Sequence, residues 1–320
     1  MMNKHGGYRG DDLIDFSVNL NPTPKPREWL SRFYDTDRLI TDYPENDQAS
    51  FRTFLARRLN CSPAELIIGN GATELIYLLA QSLHVTTVGI FEPTYSEYRR
   101  AFEAFGKRVV SIPLPPDTGF SPSFLDIPPC DLYILCNPNN PTGTYVRDLS
   151  GLIERQAWIL IDESFVDFVE RPLDFTGDNI IRLRSLTKYY GLAGLRIGYL
   201  QATRRLIDRM RRYQPPWSVN AIVLELIEPL MDSVDFRQRT RRWLSQERDR
   251  YRTALPRLIG GEANFFFFQA EAATFDVLKD RGFFLRRCED YVGLGPDCYR
   301  FCIHTPTNNQ SLIKVLKEIL

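Results

Sequence analysis

The sequence predicts an α/β protein built on a large, mostly parallel sheet, with a smaller α+β unit toward its C-terminal end. Three observations predict it. Short apolar runs alternate with helical patterns from Glu65 to Leu200. The runs are apolar at nearly every position rather than at every second one, the pattern of strands covered on both faces. Polar residues gather just beyond the ends of these runs, where open α/β sheets place ligands.

In chain order, residues 66–68 read as a strand that turns through Gly69-Asn70-Gly71 into a helix over 73–83. Residues 88–91 read as a strand ending in Glu92-Pro93, and 132–136 as one ending in Asn137-Pro138. Residues 158–161 run into Asp162-Glu163, residues 180–183 run on to Ser185-Leu186-Thr187-Lys188, and 197–200 form a further strand. The Pro-rich stretch 113–129 is a surface loop, because strand–helix alternation resumes after it. Residues 201–255 read as helical and Arg-rich. Beyond them come a strand at 264–269, a helix, a strand at 299–304 and a final helix, as in an α+β unit. The expected division is 1–35 as an N-terminal arm and part of a small domain, 36–215 as the large domain, and 216–320 as the C-terminal small domain.

Composition narrows the function. The 320 residues are 43% hydrophobic, enough for a sizeable core. Lys+Arg and Asp+Glu are both 40, so the net charge is zero and a global polyanion-binding surface is disfavoured. The runs Arg204-Arg205, Arg211-Arg212 and Arg241-Arg242 are interleaved with Asp208, Glu247 and Asp249, as on a solvated helix face. No nucleic-acid partner is expected. The six cysteines form no CxxC pair and the three histidines are scattered, so no metal site or disulfide framework is expected. The N-terminal segment lacks the apolar stretch of a signal peptide, and no run approaches the length that crosses a bilayer. The expectation is a soluble, cytoplasmic protein without a membrane partner.

The chemistry-bearing residues cluster at strand ends. Lys188 follows a buried strand and precedes Arg196 by eight positions. Desolvation and a nearby cation lower a lysine's pKa and free its amine for Schiff-base chemistry. The neighbouring hydroxyls and Arg196 suit a phosphate dianion. Asp162 ends another buried strand, where a carboxylate is costly without a partner. A protonated pyridinium nitrogen is such a partner. Gly71-Ala72-Thr73 opens a helix whose N–H groups can cradle phosphate.

Together, NPNNPTG (137–143), DESF (162–165), SLTK (185–188) and GLRIG (194–198), in this order, resemble the class I/II aminotransferases, fold-type I enzymes that depend on pyridoxal 5'-phosphate. The resemblance covers nearly the whole chain. It implies that Lys188 carries the cofactor and later shuttles a proton, that Asp162 pairs with the pyridinium nitrogen, and that Asn140 bonds the ring's phenolic oxygen. It further implies that Ala72, Thr73, Ser185 and Arg196 hold the cofactor phosphate, that Tyr95 stacks on the ring, and that Tyr43 reaches the cofactor phosphate of a second subunit, hence a homodimer. Arg300 matches the family's C-terminal arginine for an acidic group of the substrate. Phe165 departs from the pattern: many members carry a tyrosine there, and phenylalanine has no donor for the phenolic oxygen.

Within that family the chain is similar to threonine-phosphate decarboxylases of cobalamin biosynthesis. The shared features are His5-Gly6-Gly7, DFSVNLNP (15–22), Phe165 in DESF, RSLTKYY (184–190) and PWSVNA (216–221). The similarity implies a small phosphorylated amino acid as substrate. His5, Gly6 and Gly7 would form a lid over its phosphate, and Arg286 would join Asn140 and Arg300 in holding it, with Arg287 on the surface. Subgroup members often carry a basic residue at the position of His304. The implied reaction converts L-threonine O-3-phosphate to (R)-1-amino-2-propanol O-phosphate and CO2. A serine-phosphate preference and a histidinol-phosphate aminotransferase activity stay open at this stage. A non-catalytic regulator would need an attached DNA-binding segment, for which no residues are left over.

Overall fold

The computed structural model describes residues 7–31 and 37–320. The chain begins with β1 (Ile14–Asp15), α1 (Arg27–Ser31), α2 (Asp37–Thr41) and α3 (Ala49–Leu59). The central layer follows: β2 (Leu66–Gly69), α4 (Ala72–Ser82), β3 (Thr87–Glu92), α5 (Glu97–Ala104), β4 (Arg108–Pro113), β5 (Leu132–Cys136), α6 (Ser150–Ile153), β6 (Trp158–Asp162), β7 (Ile180–Ser185), α7 (Leu186–Tyr189) and β8 (Gly198–Gln201). These strands form one seven-stranded sheet in the order β2-β8-β7-β6-β5-β3-β4. Only β8 runs against the rest, pairing antiparallel with both β2 and β7. Every residue of β2 and β5 is buried. That is the continuous-apolar pattern of a sheet covered on both faces. Helix α4 presents Leu75, Ile76 and Leu79 to the sheet, each 0–1% exposed, at the i, i+1, i+4 spacing of one helical stripe.

The region 201–255 is helical, in three pieces: α8 (Arg204–Arg211), α9 (Ala221–Asp232) and α10 (Val234–Ala254). Pro215-Pro216 cannot continue a helix. New starts are capped, the Asn220 side chain accepting from Val223 N and the Ser233 side chain from Phe236 N. The chain closes with β9 (Ile259–Gly260), β10 (Phe265–Gln269), α11 (Thr274–Asp280), β11 (Phe283–Phe284), β12 (Arg286–Arg287), β13 (Cys298–Cys302) and α12 (Pro306–Ile319). Strands β12-β13-β10-β9 form an antiparallel sheet, and β1 pairs in parallel with β11. The N-terminal residues 14–17 are thereby tied to the C-terminal sheet, where Phe16 O also accepts from Cys302 N at 2.8 Å. The six cysteines are unpaired, and no His/Cys/Asp/Glu group among the described residues could hold a metal. No described helix is long and apolar enough to cross a membrane.

Candidate active site

The C-terminal ends of β2, β3, β5, β6 and β7 open into one cavity of about 420 Å³, closed on its far side by Ser17–Asn19 and by Arg286, Tyr291 and Arg300. Asp162 forms its floor. Burial raises this carboxyl above its usual range. Two donors hold it: Tyr98 Oη at 2.5 Å from Oδ2, and Ser164 N at 2.8 Å from Oδ1. Tyr95 precedes α5, where its hydroxyl lies 3.2 Å from Thr73 Oγ1.

One wall is a cradle. Helix α4 begins at Ala72, and its N-cap residue, Gly71, offers no side chain to its first N–H groups. Gly71 adopts φ +82 and ψ 164, a region open almost only to glycine. A Cβ there would stand 2.4 Å from Arg196 Nη2. Gly198, on β8, lets that strand approach the same helix start, since a Cβ would lie 2.8 Å from Ala72 N. Ser185 and Thr187 face the cavity and share one hydrogen bond of 2.8 Å. Arg196 holds φ +52, a left-handed conformation costing roughly 1–2 kcal/mol for a non-glycine residue. Strain of that kind concentrates where function demands a placement. Orphan helix N–H groups, two hydroxyls and a guanidinium are the donor set of a phosphate site.

Lys188 stands in the single turn α7, directly after β7. Burial, with Arg196 and Arg300 adding to it, lowers its amine to about 8, while Asp162 opposes the shift. Neither Lys188, Arg196 nor Arg300 forms an ion pair among the described residues. The cavity is therefore cationic and ready for anions. The cradle, the buried acid and the depressed lysine have the chemistry that pyridoxal phosphate asks for: donors for a phosphate, a carboxyl for a ring nitrogen and an amine for an aldehyde.

The facing wall comes from the small sheet. Arg286 and Arg300 are cross-strand partners in β12 and β13 and line the same cavity. Arg300 is 7% exposed. It donates to Ser17 O at 2.5 Å and to Asn140 Oδ1, and its Nε–H has no acceptor among the described residues. Asn140 Oδ1 also accepts from Tyr291 Oη at 3.3 Å. The amide oxygen is thus committed to protein donors, and the amide's own donor capacity remains for a ligand. Arg286 is already engaged: Nη2 bonds both Asp290 oxygens, at 2.6 and 2.8 Å, and its guanidinium lies 5.4 Å from the Tyr291 ring centroid. Phe165 lines the cavity edge-on to Phe265 and offers no donor.

The structure gathers Ala72, Thr73, Tyr95, Asn140, Asp162, Ser185, Lys188, Arg196, Arg286 and Arg300 around one cavity. Tyr43 does not line it. It stands 81% exposed with its ring 4.8 Å from that of Trp217. His5 and Gly6 lie outside the described residues. Gly7 is exposed and does not line the cavity, though a Cβ on it would stand 2.5 Å from Val18, which does. Arg287 turns away to Glu289. His304 is not a cavity residue: its Nδ1 accepts from Thr305 N, and burial lowers its pKa, so it supplies no permanent charge. Sequence reasoning missed Asn19, whose buried Oδ1 has no partner among the described residues, and Tyr98 and Tyr291, which brace the floor and the far wall. The motif DFSVNLNP drew attention to the first of these without a role; nothing local marks the other two.

Comparison with known proteins agrees with this geometry. The profile of the family "Aminotransferase class I and II" matches residues 11–316. The chain is 32% identical to a threonine-phosphate decarboxylase of Salmonella typhimurium, over 98% of this chain and 93% of that protein. It is 31% identical to a histidinol-phosphate aminotransferase of Symbiobacterium thermophilum, over 97% and 91%. The solved L-threonine-O-3-phosphate decarboxylase of Porphyromonas gingivalis superposes with a TM-score of 0.83 at 25% identity, covering 95% of this chain and 98% of that one.

Proposed function

The chain belongs to the aminotransferase class I and II family, whose members depend on pyridoxal phosphate, and from that premise we propose that it decarboxylates L-threonine O-3-phosphate. The reaction breaks the Cα–carboxylate bond, releases CO2, places a proton on Cα and yields (R)-1-amino-2-propanol O-phosphate. That product would enter cobalamin biosynthesis. The observation that carries the proposal is the pair of arginines, Arg286 and Arg300, set side by side on neighbouring strands over the Lys188–Asp162 cavity. A phosphorylated amino acid, with its phosphate and carboxylate, matches two cationic anchors; 2-oxoglutarate also carries two anions, so the assay below sets the two reactions against each other.

Pyridoxal phosphate, when bound, provides the ring into which the electron pair of the broken bond spreads. The chain's residues do the rest. Ala72, Thr73, Ser185 and Arg196 hold the cofactor phosphate, joined by Thr187. Asp162 keeps a proton on the ring nitrogen. Lys188 supplies the amine that the aldehyde engages and, released from it, delivers the proton to Cα. Arg300, buried and without a carboxylate partner among the described residues, takes one substrate anion and Arg286 the other. Fixing both ends leaves the substrate one orientation about Cα, and orientation selects the bond that breaks. Asn140 donates to the cofactor's phenolic oxygen alone, because Phe165 cannot.

The test uses purified protein with bound pyridoxal phosphate. Threonine phosphate should release CO2 and an amine phosphate. Glutamate formed from histidinol phosphate and 2-oxoglutarate, without CO2 from threonine phosphate, would replace the proposal with the aminotransferase reading. Serine phosphate, one methyl smaller, should react with kcat/KM lower by roughly 10–200-fold, the worth of a methyl contact.

A further inference from the structure

We propose that Tyr98 is a positioning residue for Asp162: from the buried floor of the site its hydroxyl donates to that carboxylate and keeps it aimed at the ring nitrogen of pyridoxal phosphate. Tyr98 lies in the first turn of α5 and is 0% exposed. A hydroxyl so placed is costly unless it finds an acceptor, and it finds Asp162 Oδ2 at 2.5 Å. This is the hydrogen bond to Oδ2 recorded among the described residues; Oδ1 is held separately by Ser164 N. Tyr95 and Tyr98 stand three residues apart, with rings edge-to-face at 5.6 Å. One turn of chain thus sets both the residue beside the cofactor ring and the residue beneath its acid.

The groups facing Asp162 are few. They are Ser164, whose backbone and side chain both bond it, Tyr98 from α5, Tyr95 ahead of that helix, Cys136 from the end of β5, Glu163 beside it and Lys188 from α7. Cys136 directs its thiol at Pro138 O, 3.2 Å away. Burial pushes the Tyr98 phenol well above its usual value, so its proton stays and it acts as a donor throughout the working range. Burial pushes Asp162 toward its neutral form, and a neutral carboxyl cannot hold the ring nitrogen's charge. The Tyr98 bond opposes that outcome.

The sign follows. Tyr98→Phe keeps the ring and removes the donor, so the Asp162 pKa rises. Binding that needs the carboxylate is then lost at a higher pH as the solution is acidified. The experiment titrates apoprotein with pyridoxine phosphate, which has no aldehyde and so does not report Lys188, and follows affinity as a function of pH. Tyr98→Phe should weaken binding about tenfold or more near neutrality and move the acid limb up by about one pH unit. A ring-fluorinated tyrosine at position 98, a stronger donor, should move the limb down. In an Asp162→Asn background, Tyr98→Phe should add little. An unmoved limb in a folded Tyr98→Phe protein, or an equal loss with and without Asp162, would reduce Tyr98 to a packing residue and overturn the proposal. Both readouts are binding measurements, so they stand whichever substrate the enzyme decarboxylates or transaminates.

Discussion

Lys188 carries the sharpest residue-scale expectation. Its amine sits at about 8 because burial and two guanidiniums disfavour its charge. Only the neutral amine attacks an aldehyde. The rate at which apoprotein takes up pyridoxal phosphate should therefore rise with pH and level off above about 8, followed by absorbance of the bound cofactor. Lys188→Ala should bind the cofactor without a borohydride-reducible link. Arg286 makes a second case. Asp290 already occupies its Nη2 with both oxygens, so a substrate anion competes with an internal carboxylate. The pair is partly exposed, side chains 18% and 28%, which limits its worth to roughly 0.5–1 kcal/mol. Asp290→Asn should lower KM for threonine phosphate by about 2- to 5-fold with kcat little changed. A raised KM would mean that Asp290 orients Arg286 instead. The sequence pointed to Arg286 through its resemblance, yet it could not show Asp290, because a counter-ion four residues on is visible only once the strand has ended and the chain has turned back.

At the scale of elements, the strands that were legible are those buried on both faces. β5 and β6 announce themselves because each is nearly all apolar. β4 was not legible: it is an edge strand and, unlike β2 at the other edge, half of it is exposed, and Arg108, Ser111 and Pro113 interrupt its pattern. β1 and β11 are two residues each and owe their existence to each other, a pairing across most of the chain that no local signal carries. The same distance hid Tyr98, whose importance depends on where a separate strand ends. The start of α4 was legible from Gly71-Ala72-Thr73, and it yields a prediction for the element as a whole. Gly71→Ala would bring a Cβ to 2.4 Å from Arg196 Nη2 and force φ +82 on alanine. The loop or Arg196 must move, and the cradle opens. Pyridoxal phosphate should bind the apoprotein at least about tenfold more weakly, since charge-assisted bonds of this kind contribute roughly 1.5–3 kcal/mol, whereas Gly106→Ala, which imposes a similar φ of +71 on alanine but with open space around it and outside the cavity lining, should cost stability and leave cofactor affinity unchanged.

For the whole molecule the decisive residue is one that the cavity leaves out. Tyr43 and Trp217 form an aromatic pair, 81% and 46% exposed, remote from the cavity of their own chain. If Tyr43 serves the cofactor of a second copy, then two defects placed on different chains should complement. Tyr43→Ala and Lys188→Ala proteins, each impaired alone, should regain decarboxylation when unfolded together and refolded as a mixture. A mixed pair holds one site with Lys188 from one chain and Tyr43 from the other. Random pairing of equal amounts makes about one site in four intact, which sets the expected yield. The same mixture should sediment at twice the 37.1 kDa of the chain. Activity no greater than the sum of the two parents, in a mixture that does sediment as a pair, would place Tyr43 in service of its own subunit or of none. The two measurements thus separate the existence of the pair from the role of this residue within it.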